Sequence, residues 1–310
     1  MPEICAQNAI IICGPTASGK TDFAHRIALD NDGEIVNADS MQLYKQLSII
    51  TASPEIHLKN KLPYHLYNFQ DIDKEFSAAK YVKCASKTIR KIAQKGKLPI
   101  IVGGSGMYIH MLVNGYSTIP DIKDTIRTEA RNLHQTIGPE EFFRQLEKLD
   151  PKIVTNLKPS DTQRVIRAYE VIQQTGESIL NFQARNNIKP LPDFDFQILF
   201  LLPERKFLYD TCNTRLVKLF DGGAIEEVET VYKQYGDLKT SAMKALGVSE
   251  IISYIKGDIT REKAIELAST RTRQYAKRQI TWFHNQLDKK QTIKFGSTEE
   301  YIQITTGRQI

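Results

Sequence analysis

Residues 14–21 read Gly14, Pro15, Thr16, Ala17, Ser18, Gly19, Lys20 and Thr21. A glycine, four residues and then Gly-Lys-Thr is the spacing of a loop that wraps phosphate. Backbone N–H groups and a lysine ammonium meet the anion, and the threonine hydroxyl takes a cation such as Mg²⁺. A plain surface glycine turn leaves Lys20 and Thr21 unexplained. The motif predicts a phosphate site. It does not identify the ligand as ATP.

Two further polar positions follow apolar runs. Asp39 comes after Glu34–Ala38 within "NADSMQLY" and has three open readings: a Mg²⁺ ligand, a proton acceptor, or the cap of the next element. The other apolar runs do not end in an aspartate, since Leu98–Val102 meets glycine and Gln197–Leu202 meets Pro203. That pattern argues against phosphates belonging to a nucleotide undergoing hydrolysis. Ser105 sits in "VGGSGMY", where the glycines let backbone approach a ligand and the serine either offers a hydroxyl or caps a helix.

Basic residues gather in two places. A helix is expected from Ser160, with Ser160 and Gln163 forming a capping box and Val165, Ala168, Tyr169 and Ile172 facing inward. Gln163, Arg164 and Arg167 then lie on its polar side, open to solvent or to RNA. Further on, Arg271, Arg273, Lys277 and Arg278 place four positive charges within eight residues. Arg271, Tyr275, Arg278 and Trp282 share one helical face, beside a docking stripe of Ala276, Ile280, Phe283 and Leu287. Such a face suits a phosphate backbone or an unstacked base; alternatively its aromatics edge the core under solvated charges.

The elements that must position these residues alternate. Strand-like runs at Ala9–Cys13, Glu34–Ala38, Leu98–Val102 and Gln197–Leu202 are separated by helical patterns at Thr21–Leu29 and Ala78–Ala93. The expected class is α/β with a parallel sheet, and Gly14–Thr21, Asp39-Ser40 and Gly103-Gly104-Ser105 all fall at strand carboxyl ends, where such sheets bind ligands. From about Pro120 to Pro192 the strand signal disappears and breakers at Gly138-Pro139, Pro151, Pro159 and Gly176 separate helices. We therefore expect a core over residues 1–119, a helical insertion over 120–192, and core completion with basic C-terminal helices over 193–310.

Composition narrows the classes. A chain of 310 residues, 41% hydrophobic and 25% charged, with a formal charge of +6, fits a globular protein that tolerates a nucleic-acid partner. Cys5, Cys13, Cys84 and Cys212 are too scattered for a zinc site or disulfide framework and are expected as small buried side chains. No apolar run reaches the length of a signal peptide or membrane span, so we expect a cytoplasmic protein, without membrane contact, acting as a monomer. On the residues alone, an ATP-dependent small-molecule or nucleoside kinase and a non-catalytic RNA-binding protein both stay open.

Six segments in order along the chain resemble the tRNA dimethylallyltransferase (isopentenyltransferase) family: "GPTASGKT", "NADSMQLY", "VGGSGMY", "PSDTQRVIRAYEV", "KALGVSEI" and "TRTRQYAKRQITWF". The resemblance implies a P-loop nucleotide-kinase-like core with a helical insertion. It also implies transfer of a dimethylallyl group from its diphosphate to N6 of the adenosine beside the tRNA anticodon, position 37, with Mg²⁺ as cofactor. Gly14–Thr21 would then hold the leaving diphosphate, with Lys20 and Arg215 as cations and Thr21 as the metal ligand. Asp39 would accept the N6 proton, and Ser105 would donate to the bridging oxygen. Contacts to the anticodon stem-loop would come from Asp39, Ser40, Met41, Gln42, Ser105 and Arg127. Gln163, Arg164, Val165, Ile166 and Arg167 would supply the rest, and the basic-aromatic face adds Arg271 and Arg278 as expected tRNA contacts. Departures from the family pattern are Ser105 for threonine, Ile50 and Ser53 for a glycine and a lysine, and Val248-Ser249 for a tyrosine and a basic residue.

Overall fold

The computed structural model describes residues 7–185, 187–236, 240–288, 292–297 and 299–301. Contacts divide the chain into two units, Met1–Val113 with Pro190–Ile310, and Asn114–Lys189. In the first unit the strands are β1 (Gln7–Cys13), β2 (Gly33–Asn37), β3 (Tyr64–His65) and β4 (Leu98–Gly103). In the second unit β5 (Tyr116–Ser117) and β6 (Asn187–Ile188) form a short antiparallel pair, and β7 (Phe194–Leu201) and β8 (Thr292–Phe295) return to the first. Six strands make one parallel sheet in the order β3-β2-β4-β1-β7-β8. β1 lies inside it, with Ile10 opposite Ile100 on one side and Gln197 on the other. Parallel strands are covered on both faces, which is why β1, β2, β4 and β7 read as apolar runs.

The helices are α1 (Lys20–Asp30), α2 (Ile56–Lys59), α3 (Ala78–Gln94), α4 (Gly106–Asn114), α5 (Asp124–Leu149) and α6 (Thr162–Thr175). They continue with α7 (Ile179–Arg185), α8 (Arg205–Leu219), α9 (Ile225–Tyr235), α10 (Val248–Ile255) and α11 (Arg261–Gln286). Phe23, Ala24 and Ala28 of α1 pack with Ile12, Ile35, Ile100 and Leu199 of the sheet. Leu216, Val228, Val231, Ile251, Ala264 and Ala268 of α8–α11 gather with Tyr44, Leu47 and Ile50 in a second cluster. The 114–189 unit has a core of its own, built from Phe142, Leu146, Val165 and Ala168.

Several local expectations change. β3 and β8 were absent from the strand pattern, because two and four residues are too few for a period to show. For the same reason β6 lies in a region expected to hold helices alone. The Ser160–Gln163 capping box does not form: α6 begins after Asp161, whose Oδ2 instead accepts from Lys158 N–H at 3.1 Å. Cys13 and Cys212 are buried free thiols, burial pushing the first up to about 12, whereas Cys84 is half-buried and Cys5 lies outside the described residues. Among the described residues no helix is long and apolar enough to cross a membrane.

Candidate active site

β1 ends where its chain must leave the sheet beside β7. Gly14 has φ +153°, and a Cβ there would lie 2.3 Å from the Leu201 carbonyl oxygen, so only glycine fits. Ala17 then takes a left-handed conformation (φ +62°), costing a non-glycine residue about 1–2 kcal/mol. Gly19 caps α1 with no side chain, which leaves the first N–H groups of that helix without a side-chain acceptor. A helix start of this kind binds anions. The Lys20 ammonium folds back to donate to the Pro15 carbonyl at 2.5 Å, with Ser18 Oγ at 3.5 Å. Burial lowers its pKa to about 8; Asp39 acts in the opposite direction and Arg215 in the same one.

β2 delivers Asp39. The Asn37 carboxamide accepts from Asp39 N–H (2.8 Å) and donates to the Asp39 carbonyl (3.0 Å), locking the strand exit. Asp39 Oδ1 accepts from Met41 N–H at 2.9 Å, whereas Oδ2 bonds no described residue. The carboxylate thus closes a local turn with one oxygen and keeps the other available. β4 ends against this strand so closely that a Cβ on Gly103 would sit 2.1 Å from the Ala38 carbonyl. The approach brings Ser105 onto the Asp39 loop: its N–H donates to Ala38 O (3.1 Å), and its Oγ accepts from Ser40 N–H (2.9 Å) and donates to Ser40 Oγ (3.1 Å). Although Ser105 precedes α4, its hydroxyl is directed to Ser40.

Thr16–Thr21, Asp39, Gln42 and Arg215 line one cavity of about 1190 Å³; Gly14, Pro15, Ser40, Met41 and Ser105 do not line it. Arg215 reaches from α8 to Thr16 Oγ1 and the Thr51 carbonyl, both at 3.4 Å, and Gln42 Nε2 donates to the Thr51 and Ala52 carbonyls. Glu227 of α9 holds that turn through Ile49 and Ile50 N–H (2.8 and 2.9 Å). Gln279 of α11, 5% exposed, accepts from Thr16 N–H and donates to the Gly104 carbonyl. Sequence patterns flagged neither Glu227 nor Gln279, since a lone polar residue on a helix reveals its role only through partners distant in the chain.

The basic helix docks differently from the expected stripe. Ala276 and Phe283 are buried, but Thr272 and Gln279 join them while Ile280 and Leu287 are only half-buried. Trp282 is half-buried, packs on the Gly106 backbone and meets His110 edge-on at 6.2 Å. Arg271 pairs with buried Glu250 at 2.7 Å and donates to Ser249 Oγ. Arg278 is exposed, 5.8 Å from the Tyr275 ring centre. Burial raises the Tyr275 hydroxyl, and the charge of Asp39 adds to the shift.

In the 114–189 unit, Gln163 and Arg164 are exposed on α6, and Arg167 stands 3.2 Å from Glu170. Val165 is 1% exposed in that unit's core and Ile166 packs against it. Their side chains fasten α6, while Gln163, Arg164 and Arg167 lie on its polar side. Arg127 donates through Nε to the Ile122 carbonyl at 3.2 Å, beside the start of α5.

The family model described as IPP transferase matches residues 42–286. A tRNA dimethylallyltransferase from Rickettsia massiliae is 49% identical over 97% of this chain and 85% of the relative, and one from Rickettsia felis is 50% identical over 95% and 96%. Among solved structures, a tRNA isopentenylpyrophosphate transferase from Bacillus halodurans has 30% identity and a TM-score of 0.68, covering 98% of this chain and 95% of its own. A eukaryotic dimethylallyltransferase acting on tRNA has 26% identity and a TM-score of 0.77, covering 98% and 78%.

Proposed function

This chain belongs to the IPP transferase family, and on that premise we propose that its cavity holds dimethylallyl diphosphate against N6 of the adenosine at tRNA position 37. The chain is an enzyme, a prenyltransferase whose acceptor is tRNA and whose leaving group is diphosphate. One observation supports the assignment of its site best. Two cations, Lys20 and Arg215, share a single cavity with the Asp39 carboxylate and the uncapped start of α1.

The reaction follows from that arrangement. The N6 lone pair attacks C1 of the dimethylallyl group while the C1–O bond breaks, its electrons staying on the diphosphate oxygen. Lys20, Arg215 and the loop N–H groups meet the charge that grows there. Asp39 orients the amine through its free oxygen and takes the proton that becomes acidic as the C–N bond forms. Ser105 steadies the Asp39 loop through Ser40; donation to the bridging oxygen requires its bond to Ser40 Oγ to open. The adenine leaves its stack to enter the cavity.

The Thr21 hydroxyl lines the cavity and bonds no described residue, and no three His, Cys, Asp or Glu gather into a metal set among those residues. Thr21 is the residue that would hold a Mg²⁺ ion beside the diphosphate. Mg²⁺ supplies charge neutralisation on the diphosphate. Asp39 and Gln42 meet the tRNA at the cavity, and Gln163, Arg164, Arg167, Arg127 and Arg278 meet it elsewhere. We read the enzyme as a cytoplasmic monomer.

The test is incubation of the chain with dimethylallyl diphosphate and unmodified tRNA, followed by mass spectrometry of the nucleosides. Prenylated adenosine supports the proposal, whereas ATP turnover without tRNA would support the kinase alternative. Two further outcomes are expected. Lys20 is charged in the free enzyme below about pH 8, so kcat/KM for the donor falls as pH rises through that value. Bound diphosphate favours the ammonium, so kcat holds to higher pH; a flat kcat/KM profile refutes the cation's role. Raising salt weakens tRNA binding steeply, and Arg167→Ala lowers the slope of log K against log salt by about one. An unchanged slope returns Arg167 to its ion pair with Glu170.

A further inference from the structure

We infer that Gln279 is a positioning residue for prenyl transfer, setting the distance between the phosphate loop and the loop after β4 that in turn holds the proton acceptor's loop. The inference rests on the proposed reaction. Gln279 Oε1 accepts from Thr16 N–H at 2.8 Å and Nε2 donates to the Gly104 carbonyl at 2.9 Å. Gly104 precedes Ser105, which is bonded to Ser40 beside Asp39. One planar amide therefore spans the phosphate loop and the loop after β4, and Ser105 of that second loop holds the loop of the acceptor. The close fit is visible from the other side too, since a Cβ on Gly104 would lie 2.2 Å from Gln279 Nε2.

A primary amide accepts from an N–H with one end and donates to a carbonyl with the other. Methionine matches its length and does neither. Displacement at C1 needs donor and acceptor atoms aligned at about 3–3.5 Å, and a misplacement of about 1 Å costs on the order of 10²-fold in rate. Gln279 contributes to that alignment without touching either substrate, so its loss belongs in the chemical step and not in donor affinity.

The experiment compares wild type, Gln279→Met, Gly104→Ala and the double variant by single-turnover transfer at saturating tRNA and donor. It is run well below the lowest melting temperature, with donor and tRNA Kd measured separately. Wild-type transfer tests the proposed function, and only the variants test the inference. We expect Gln279→Met to lower the rate about 10²-fold with both Kd values within threefold. Gly104→Ala, which displaces the same amide, lowers it by at least tenfold, and the double variant is no slower than the slower single. A Gln279→Met rate within threefold of wild type overturns the inference. So do multiplying losses in the double variant, or a loss carried by donor Kd. If Gln279→Met does not fold, the Gly104→Ala rate and Kd values decide alone.

Discussion

Asp39→Asn lowers single-turnover prenyl transfer by at least 10²-fold while the melting temperature stays nearly unchanged. The two oxygens of Asp39 have different work. Oδ1 accepts from Met41 N–H at 2.9 Å and closes a turn. Asparagine does this equally well, because its carbonyl oxygen accepts the same bond and Asn and Asp are comparable caps. Oδ2 bonds no described residue and belongs to a side chain on the cavity wall. Its replacement by an NH₂ group leaves nothing there to accept a proton at neutral pH. The adenine amine is a poor nucleophile whose lone pair is delocalised into the ring, and removal of its proton by a placed base is typically worth 10²–10⁴-fold. Rapid-quench transfer beside a thermal melt separates the two roles. Near-normal transfer would demote Asp39 to a turn residue and leave the proton acceptor unassigned.

Lys20→Ala produces the second large loss, about 10²–10³ in rate or roughly 3–4 kcal/mol, the usual effect of removing one preorganised donor from a developing anion. The affinity for tRNA stays within a few-fold, because Lys20 lies on the phosphate loop, bonded to Pro15, and is not one of the residues read as tRNA contacts. The ammonium's charge is not a source of stability that the variant forfeits. The Lys20 pKa is lowered in the fold, so the buried charge works against folding below about pH 8, and that cost lifts as pH rises further. Removing the ammonium relieves it. Filter binding for tRNA, quenched-flow transfer and a melt give the three readouts, and normal turnover removes Lys20 from the leaving-group site.

The phosphate loop, Asp39 and Ser105 were legible because their chemistry demands particular residue types at particular spacings, and because strands buried on both faces announce themselves as apolar runs. Other features depend on partners that no local window contains. Gln279 reads as one more polar residue on a basic helix until Thr16 and Gly104 are brought to its two ends. Arg271 reads as an unpaired cation until buried Glu250 meets it, though its side chain stays exposed. Trp282 has an aromatic face to offer by spacing alone, and one side of the ring rests on Gly106. Ser160 had a capping pattern, yet Asp161 one residue later took the position by turning back to Lys158.

The strand order also governs what the ribosome releases. β1 needs β4 on one side and β7 on the other, and β7 is complete only at Leu201. At roughly 5–20 residues per second, the β7 side of Ile10–Ile12 waits on the order of ten seconds or more after synthesis with its backbone unpaired. An apolar strand edge open for that time is a template for wrong pairing. The 114–189 segment, made within the same interval, carries its own core of Phe142, Leu146 and Val165 and does not need the sheet to bury it. Birth of this enzyme is therefore asymmetric. Its inserted unit is able to condense as it emerges, while the sheet that performs the chemistry waits for a strand from the far side of the insertion.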